Sequence, residues 1–207
     1  MEIVKRDMVV VRLRILKQDD FNQIDHLISA VHSYVHKMHS EISERRNDLL
    51  SSPELDESTL AFEEMMLSDD AYFYEQVKPL THELAVVALY KRIEILTKRA
   101  VTTTFSSANA SGLFRFKELK SMLLSYGVDL TQVAHYSALD ETRIINNCIK
   151  HSGTVNNELA AYSGWTLGQP LGDLAASYSR LAPLCLAYFN DLVDKLIDRH
   201  LSSSAAQ

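Results

Sequence analysis

The chain has 207 residues, of which 46% are hydrophobic, and a formal net charge of −6 from 21 basic and 27 acidic side chains. This composition supports a packed core, and the acidic balance argues against a general DNA-binding protein, which is usually basic. No apolar run approaches the roughly 20 residues that span a bilayer. Arginines interrupt the apolar N-terminal patch, so we expect neither a membrane segment nor a signal peptide.

Glycine and proline are scarce, with six and four residues, which favours long helices over many short strands. We therefore predict an all-α protein of five to seven helices. The two cysteines, Cys148 and Cys185, fall in amphipathic patterns and are predicted to be core residues. Free cysteines of this kind are typical of a reducing compartment, so we expect a cytoplasmic protein.

The N-terminal segment contains partial alternation of apolar and basic side chains over residues 8–17, MVVVRLRILK. This alternation predicts one short strand within an N-terminal arm over residues 1–18. The alternative is an arm that simply packs on the helices.

From Asp19 the apolar residues follow alternating steps of three and four, which is the seam of a coiled coil. The members of this seam are Phe21, Ile24, Ile28, Val31, Val35, Met38 and Ile42. The spacing predicts a helix over residues 19–50, able to pair with a helix of the same chain or of another copy. With a short acidic helix that ends near residue 67, it would form a helical hairpin over residues 19–68.

Downstream, residues 69–201 are predicted to form a helical bundle, followed by a tail over residues 202–207. The first helix of this bundle is predicted to begin near residue 70, after the capping residues SDD, and to end near residue 103. The others are predicted over residues 113–127 with Gly127 as the stop, from near Thr131 or Ser137 to His151 with Gly153 as the stop, and over residues 173–201.

The helix that ends at His151 carries a polar stripe. Arg143, Asn147 and His151 are spaced four residues apart, so their directions drift by only about 80°, and Asn146 and Lys150 flank them. Histidine transfers protons near neutral pH, arginine binds phosphate through two parallel hydrogen bonds, and asparagine and lysine add donors. With the 2′-hydroxyl of RNA as nucleophile, the stripe predicts RNA cleavage without a metal or cofactor. The same residues also fit an ordinary helix end, where cations favour the helix dipole.

The run NNCIKHSG, residues 146–153, resembles the N-x-x-K-H motif helix of the HEPN superfamily (higher eukaryotes and prokaryotes nucleotide-binding domains). The resemblance covers residues 80–200 as a helix pattern and about ten residues as a motif. In active members of that family four to six residues lie between an arginine and the histidine that follows it. Here seven residues separate Arg143 from His151, and Gly153 stands where a tyrosine would be expected.

The resemblance implies a homodimer in which two motif helices face each other across a cleft that cuts RNA, often in a toxin–antitoxin or anti-phage setting. RNA and an antitoxin protein are the partners that it implies. Carried onto this sequence, it implies His151, Arg143 and Asn147 as catalytic residues and Asn146 and Lys150 as binding residues.

Two other interpretations stay open. The first is a non-enzymatic interaction protein, a degenerate HEPN-like scaffold that works through the seam of residues 19–50. The second is a metal protein, because His32, His36 and His39 span only about 60° of a helix. Ser33 occupies the glutamate position of the zinc motif H-E-x-x-H, so a solvated stripe beside the seam is the alternative for these histidines.

Carboxylates near the motif are a last candidate feature. Asp140 and Glu141 precede the polar stripe on the same predicted helix. A carboxylate can orient a histidine by accepting its second N–H. Glu83 and Glu94 on the preceding long helix are further candidates, and the spacing selects none of the four to position His151. A solvated helix face is the alternative for these acids.

Overall fold

The computed structural model describes residues 2–52, 55–105 and 115–205, with side chains described for residues 8–52, 55–105 and 115–202. These residues form six α-helices and no strand, which confirms the predicted all-α class. The helices are α1 (Glu2–Leu16), α2 (Asn22–Leu50), α3 (Glu57–Thr104), α4 (Phe116–Ser125), α5 (Tyr136–His151) and α6 (Leu174–Ala205). Within the described part of the chain, no helix is long and apolar enough to cross a membrane.

The predicted N-terminal strand is wrong, because residues 8–16 belong to α1. The run Val9–Val11 is apolar throughout, so it fits a helical period as well as an alternating one. The side chains that are buried or half-buried are Val9, Val10, Leu13 and Leu16, which is a helical spacing. Val11 and Ile15, which the alternation would place on the same side as Leu13, are exposed.

The predicted break between two helices near residues 68–70 is also wrong, because α3 runs through it without interruption. Ser68 does not cap a new helix. Its hydroxyl donates to the carbonyl oxygen of Glu64 at 2.9 Å, which is a bond that serine forms inside helices. The side chains of SDD are therefore compatible with a helix interior, and the continuous helix overrides their preference for capping positions.

One of the two compact units of the chain is a helical hairpin over residues 22–85. In it α2 runs antiparallel to the first part of α3. His39 lies 2.9 Å from Glu75, and Arg46 donates to Ser68 at 3.3 Å. The seam residues Val35 and Ile42 are buried, so the predicted seam is largely used within this hairpin.

The other unit contains residues 1–21 and 86–207. Its core combines one apolar face from each helix. The fully buried side chains include Leu13, Leu89, Ile93, Leu96, Leu123, Ile145, Leu181, Tyr188 and Phe189. Cys148 and Cys185 are both free and buried, as predicted, and Cys185 Sγ lies 3.3 Å from Thr142 Oγ1 where α6 packs on α5.

The connection between α5 and α6, residues 152–173, folds back beside the end of α5. Gly153 has a φ of +65°, and its N–H donates to Cys148 O at 2.8 Å, so it ends α5 as predicted. The N–H of Leu171 donates to the carbonyl oxygen of Gly153 at 2.9 Å, and the N–H of Val155 donates to that of Gln169 at 2.9 Å. These bonds bring the last residues of the connection next to His151.

Candidate functional site

The C-terminal end of α5 presents two of the predicted site residues to solvent. Lys150 and His151 are exposed, and Asn147 is half-buried beneath them. Among the described residues, neither the His151 imidazole nor the Lys150 ammonium has a hydrogen-bond or ion-pair partner. Cations at this end of a helix are favoured by the helix dipole, so both groups can be held here without another side chain.

Arg143 belongs to the same stripe but faces other partners. Its Nε–H donates to Asp140 Oδ1 at 2.9 Å, its Nη2 lies 3.7 Å from Glu158, and its guanidinium lies 5.2 Å from the ring centroid of Phe116. Burial opposes the charged form, but the bond to Asp140 and the field of Glu158 outweigh burial and raise the pKa of Arg143. Its Cα lies about 12 Å along the helix from that of His151, and the structure does not bring the two side chains together within one chain.

Asn146 does not face solvent, contrary to its predicted binding role. It is 1% exposed, and its Nδ2 donates to Asn147 Oδ1 at 3.4 Å. Its Oδ1 is buried and has no partner among the described residues. A phosphate outside the helix therefore has no access to this amide, and of the two asparagines only Asn147 is placed to reach a ligand.

Asp140 does not orient His151 within one chain. Its carboxylate accepts from Arg143 and, through Oδ2, from the Tyr162 hydroxyl at 3.0 Å. It stands about 16 Å along the helix from His151. Burial, together with the hydrogen bond to Asp140, raises the pKa of Tyr162. Asp140 therefore ties the connection to α5 instead of positioning the histidine.

Glu141 is also engaged elsewhere, in a buried cluster that the sequence pattern did not reveal. The residue is 4% exposed and accepts three hydrogen bonds. Trp165 Nε1 donates at 2.9 Å, and Arg180 donates from Nη1 at 2.9 Å and from Nη2 at 2.6 Å. The hydrogen bonds from Arg180 to Glu141 raise the pKa of Arg180. The sequence carried one sign of this cluster, which is a glutamate on an otherwise apolar helix face. A buried charge requires a partner, so such a glutamate indicates a cation or donor nearby in the fold.

Trp165 and Arg180 line an open depression of about 370 Å³ at the start of α6. Asp173, Ser177 and Gly172 complete much of its wall. Gly172 follows Leu171, whose N–H donates to the carbonyl oxygen of Gly153, so one edge of the depression lies near the end of α5. Its Trp165 and Arg180 walls contact Glu141, about 15 Å along the helix from His151.

The three histidines of α2 do not form a metal site. In the described ranges no three His, Cys, Asp or Glu side chains come together as metal ligands. His39 lies beside Glu75, whereas the ring of His32 packs edge-on against His82 at 5.1 Å. The two imidazoles are therefore used separately in contacts between α2 and α3.

Comparison of the chain with protein-family models, with curated proteins and with solved structures finds no match.

Proposed function

We propose that this protein is a HEPN-like, metal-independent endoribonuclease that acts as a homodimer and uses His151 as its acid–base group. The observation that carries the proposal is the exposed pair Lys150 and His151 at the end of α5, without a competing partner among the described residues. The resemblance of NNCIKHSG to the HEPN motif adds RNA as the substrate. It also favours a toxin–antitoxin or anti-phage setting with an antitoxin protein as partner.

In the proposed reaction the neutral His151 imidazole accepts the proton of an RNA 2′-hydroxyl. The 2′-oxygen forms a bond to the adjacent phosphorus while the bond from phosphorus to the 5′-oxygen breaks. The second histidine, His151 of the other copy in its protonated imidazolium form, protonates the leaving 5′-oxygen. The products are a 2′,3′-cyclic phosphate and a 5′-hydroxyl, and Lys150 with Asn147 stabilises the charge that develops on the phosphoryl oxygens.

Arg143 takes a positioning role in this proposal. Its guanidinium is committed to Asp140 and lies near Glu158, which belongs to the connection after α5. The contacts favour Arg143 as the anchor that holds this connection against the reactive end of the helix. A direct bond to the scissile phosphate would require Arg143 to leave Asp140.

The test is RNA cleavage with EDTA present, comparing wild type, His151→Ala and His36→Ala. His36 is an exposed histidine of α2 and serves as the matched control. We expect 2′,3′-cyclic phosphate ends from wild type and His36→Ala, and a rate at least about 100-fold lower for His151→Ala. Equal cleavage by His151→Ala, or loss of wild-type cleavage on chelation, would contradict the proposal.

A second candidate function is a non-enzymatic interaction protein, because α3 carries a row of exposed apolar side chains within the hairpin unit. The row consists of Phe62, Met65, Met66, Tyr72 and Phe73. Exposed patches of this kind are typical of protein–protein contacts. Since the seam of α2 is largely covered within the hairpin, this row is the better surface for a second copy of the chain.

The two candidates separate in one experiment. If self-association through this row is the function, Phe73→Asp makes the protein monomeric in sedimentation. Leu124→Asp, at an exposed leucine of α4, leaves the assembly intact, and no RNA cleavage is found for any form. A wild-type protein that is monomeric at all concentrations contradicts this second candidate.

A further inference from the structure

We propose that the depression lined by Trp165, Ser177 and Arg180 binds an unpaired nucleobase of RNA. This inference rests on the proposed function and names a part of the substrate that the chain holds at a distance from the reactive helix end. Four features of the depression support this inference. They are an aromatic wall, hydrogen-bond donors that have no partner among the described residues, a charge balance that disfavours a bare phosphate, and room for a planar ring.

The aromatic wall is Trp165, which is held in a fixed position. Its indole N–H donates to Glu141 at 2.9 Å, and Glu141 is itself buried on α5. A tryptophan fixed in this way lines the depression with little freedom to lose on binding. Bases of single-stranded nucleic acids stack on aromatic side chains of this kind.

The polar wall supplies donors that have no partner within the described chain. Arg180 uses two of its N–H groups on Glu141, and a guanidinium has five, so three remain. Ser177 is 8% exposed and lines the same depression, and its hydroxyl has no hydrogen-bond partner among the described residues. An unpaired hydroxyl on the wall of an open depression can donate to a ligand or accept from it.

The charges around the depression favour a neutral ring over an anion. Arg180 is the one cation among the described residues that line it, and Glu141 pairs with that cation through both carboxylate oxygens. Asp173 adds a second carboxylate, one oxygen of which accepts from the Ala176 N–H at 3.0 Å. The local balance is thus negative, which opposes a free phosphate, whereas a base can offer donors to Asp173 and acceptors to Arg180 and Ser177.

The depression has room for a ligand. Its volume of about 370 Å³ falls within the range of small-molecule sites. Gly164 and Gly172 contribute no side chain, and a Cβ added at Gly172 would meet nothing within 4 Å. Trp165 and Arg180 bond to Glu141, which lies about 15 Å along α5 from His151, so a base stacked here belongs to a nucleotide away from the bond that His151 would cleave.

The chain offers a direct optical test, because Trp165 is its only tryptophan. The full-length protein is titrated separately with adenosine, guanosine, cytidine and uridine, with ribose 5-phosphate as the probe that lacks a base. We expect saturable quenching of tryptophan fluorescence by at least one nucleoside and none by ribose 5-phosphate. Quenching by ribose 5-phosphate as strong as that by every nucleoside, or no saturable quenching at all, would overturn the inference.

Gly172→Leu fills the depression without straining a positive φ and should weaken nucleoside binding at least tenfold. Ala161→Leu, at an exposed position of the same connection, is the matched control and should bind as wild type does. Unchanged nucleoside binding by Gly172→Leu, in a protein that unfolds at the wild-type temperature, would overturn the site.

The outcome for the site is separable from the outcome for the proposed function. Saturable nucleoside binding that Gly172→Leu abolishes, in a wild-type protein that cuts no RNA, supports the site and contradicts the endoribonuclease. Cleavage that depends on His151, in a protein that binds no nucleoside, supports the endoribonuclease and overturns the site.

Discussion

Arg180 of α6 donates to both carboxylate oxygens of Glu141 of α5, at 2.9 and 2.6 Å. The side chain of Glu141 is 6% exposed and that of Arg180 is 49% exposed. Removing Arg180 would leave a buried carboxylate without its cation. Removing one partner of a fully buried ion pair costs about 3–5 kcal/mol. Because Arg180 is half exposed, we expect a smaller loss for Arg180→Ala, about 2 kcal/mol of the free energy of unfolding.

Urea unfolding measures this loss, and Arg115→Ala is the control. Arg115 pairs with Glu118 at 3.3 Å with both side chains largely exposed, so its removal should change the free energy of unfolding by less than about 0.5 kcal/mol. Losses of similar size in the two variants would contradict the view that the Glu141 pair stabilises the packing of α6 on α5.

Arg143→Ala should lower the free energy of unfolding more than His151→Ala does, whereas His151→Ala should lower RNA cleavage more. Arg143→Ala removes the bond to Asp140 and the contact with Phe116, so we expect a loss of about 1–2 kcal/mol in the free energy of unfolding. His151→Ala removes an exposed side chain and should change that free energy by less than about 0.5 kcal/mol. Thermal and urea unfolding of both variants check this. A larger loss for His151→Ala would make the histidine a structural residue.

A half-buried tyrosine, a buried tyrosine and a buried cysteine should make the protein sensitive to alkali. Burial raises the pKa of Tyr90 to about 12 and that of Cys185 to about 11, and it raises the pKa of Tyr188 as well. The folded state therefore favours the neutral forms, whereas the unfolded chain deprotonates at the ordinary values. The stability from these groups is complete below the unfolded pKa values and is lost as pH rises through the folded ones.

Tyr188→Phe tests this alkaline loss. The Tyr188 hydroxyl is buried without a partner among the described residues, so its removal should not lower the free energy of unfolding at neutral pH. Because one titrating group is gone, the variant should lose less of that free energy than wild type between about pH 8 and about pH 11. Identical pH profiles in urea unfolding would show that Tyr188 does not contribute to the alkaline loss.

Gly153 should be replaceable only at a cost in backbone energy. Its φ is +65° and a Cβ would meet nothing within 4 Å, so Gly153→Ala should lose about 1 kcal/mol of the free energy of unfolding through strain alone. Gly172→Ala, at a glycine without a positive φ and with open space around it, should be neutral or slightly stabilising. Calorimetry compares the two variants, and an equal loss in both would refute the assignment to backbone strain.

Local patterns predicted much of the fold. The seam spacing predicted α2, which begins at Asn22 and ends at Leu50, and the glycine stops after α4 and α5 are confirmed at Gly127 and Gly153. The failures occurred where two local preferences compete. The run Val9–Val11 fits both periods, and Ser68 can cap a helix or bond within one.

The candidate site was predictable only in part. The helical period placed Asn147, Lys150 and His151 at the end of α5, but it could not show that Asn146 turns inward. The partners of Glu141 lie 24 and 39 residues away along the chain. Spacing in the sequence carries no information about which side chains meet across such a connection, and so the depression was not predicted.

The connection that folds back beside His151 has a further consequence for how a nucleic acid would be held. No lysine or arginine occurs from residue 151 to residue 179, so few phosphates could be neutralised there. An RNA held mainly through its bases releases few condensed counterions on binding. Its affinity should therefore fall only slightly as salt rises, with a much shallower slope than that of proteins that neutralise many phosphates.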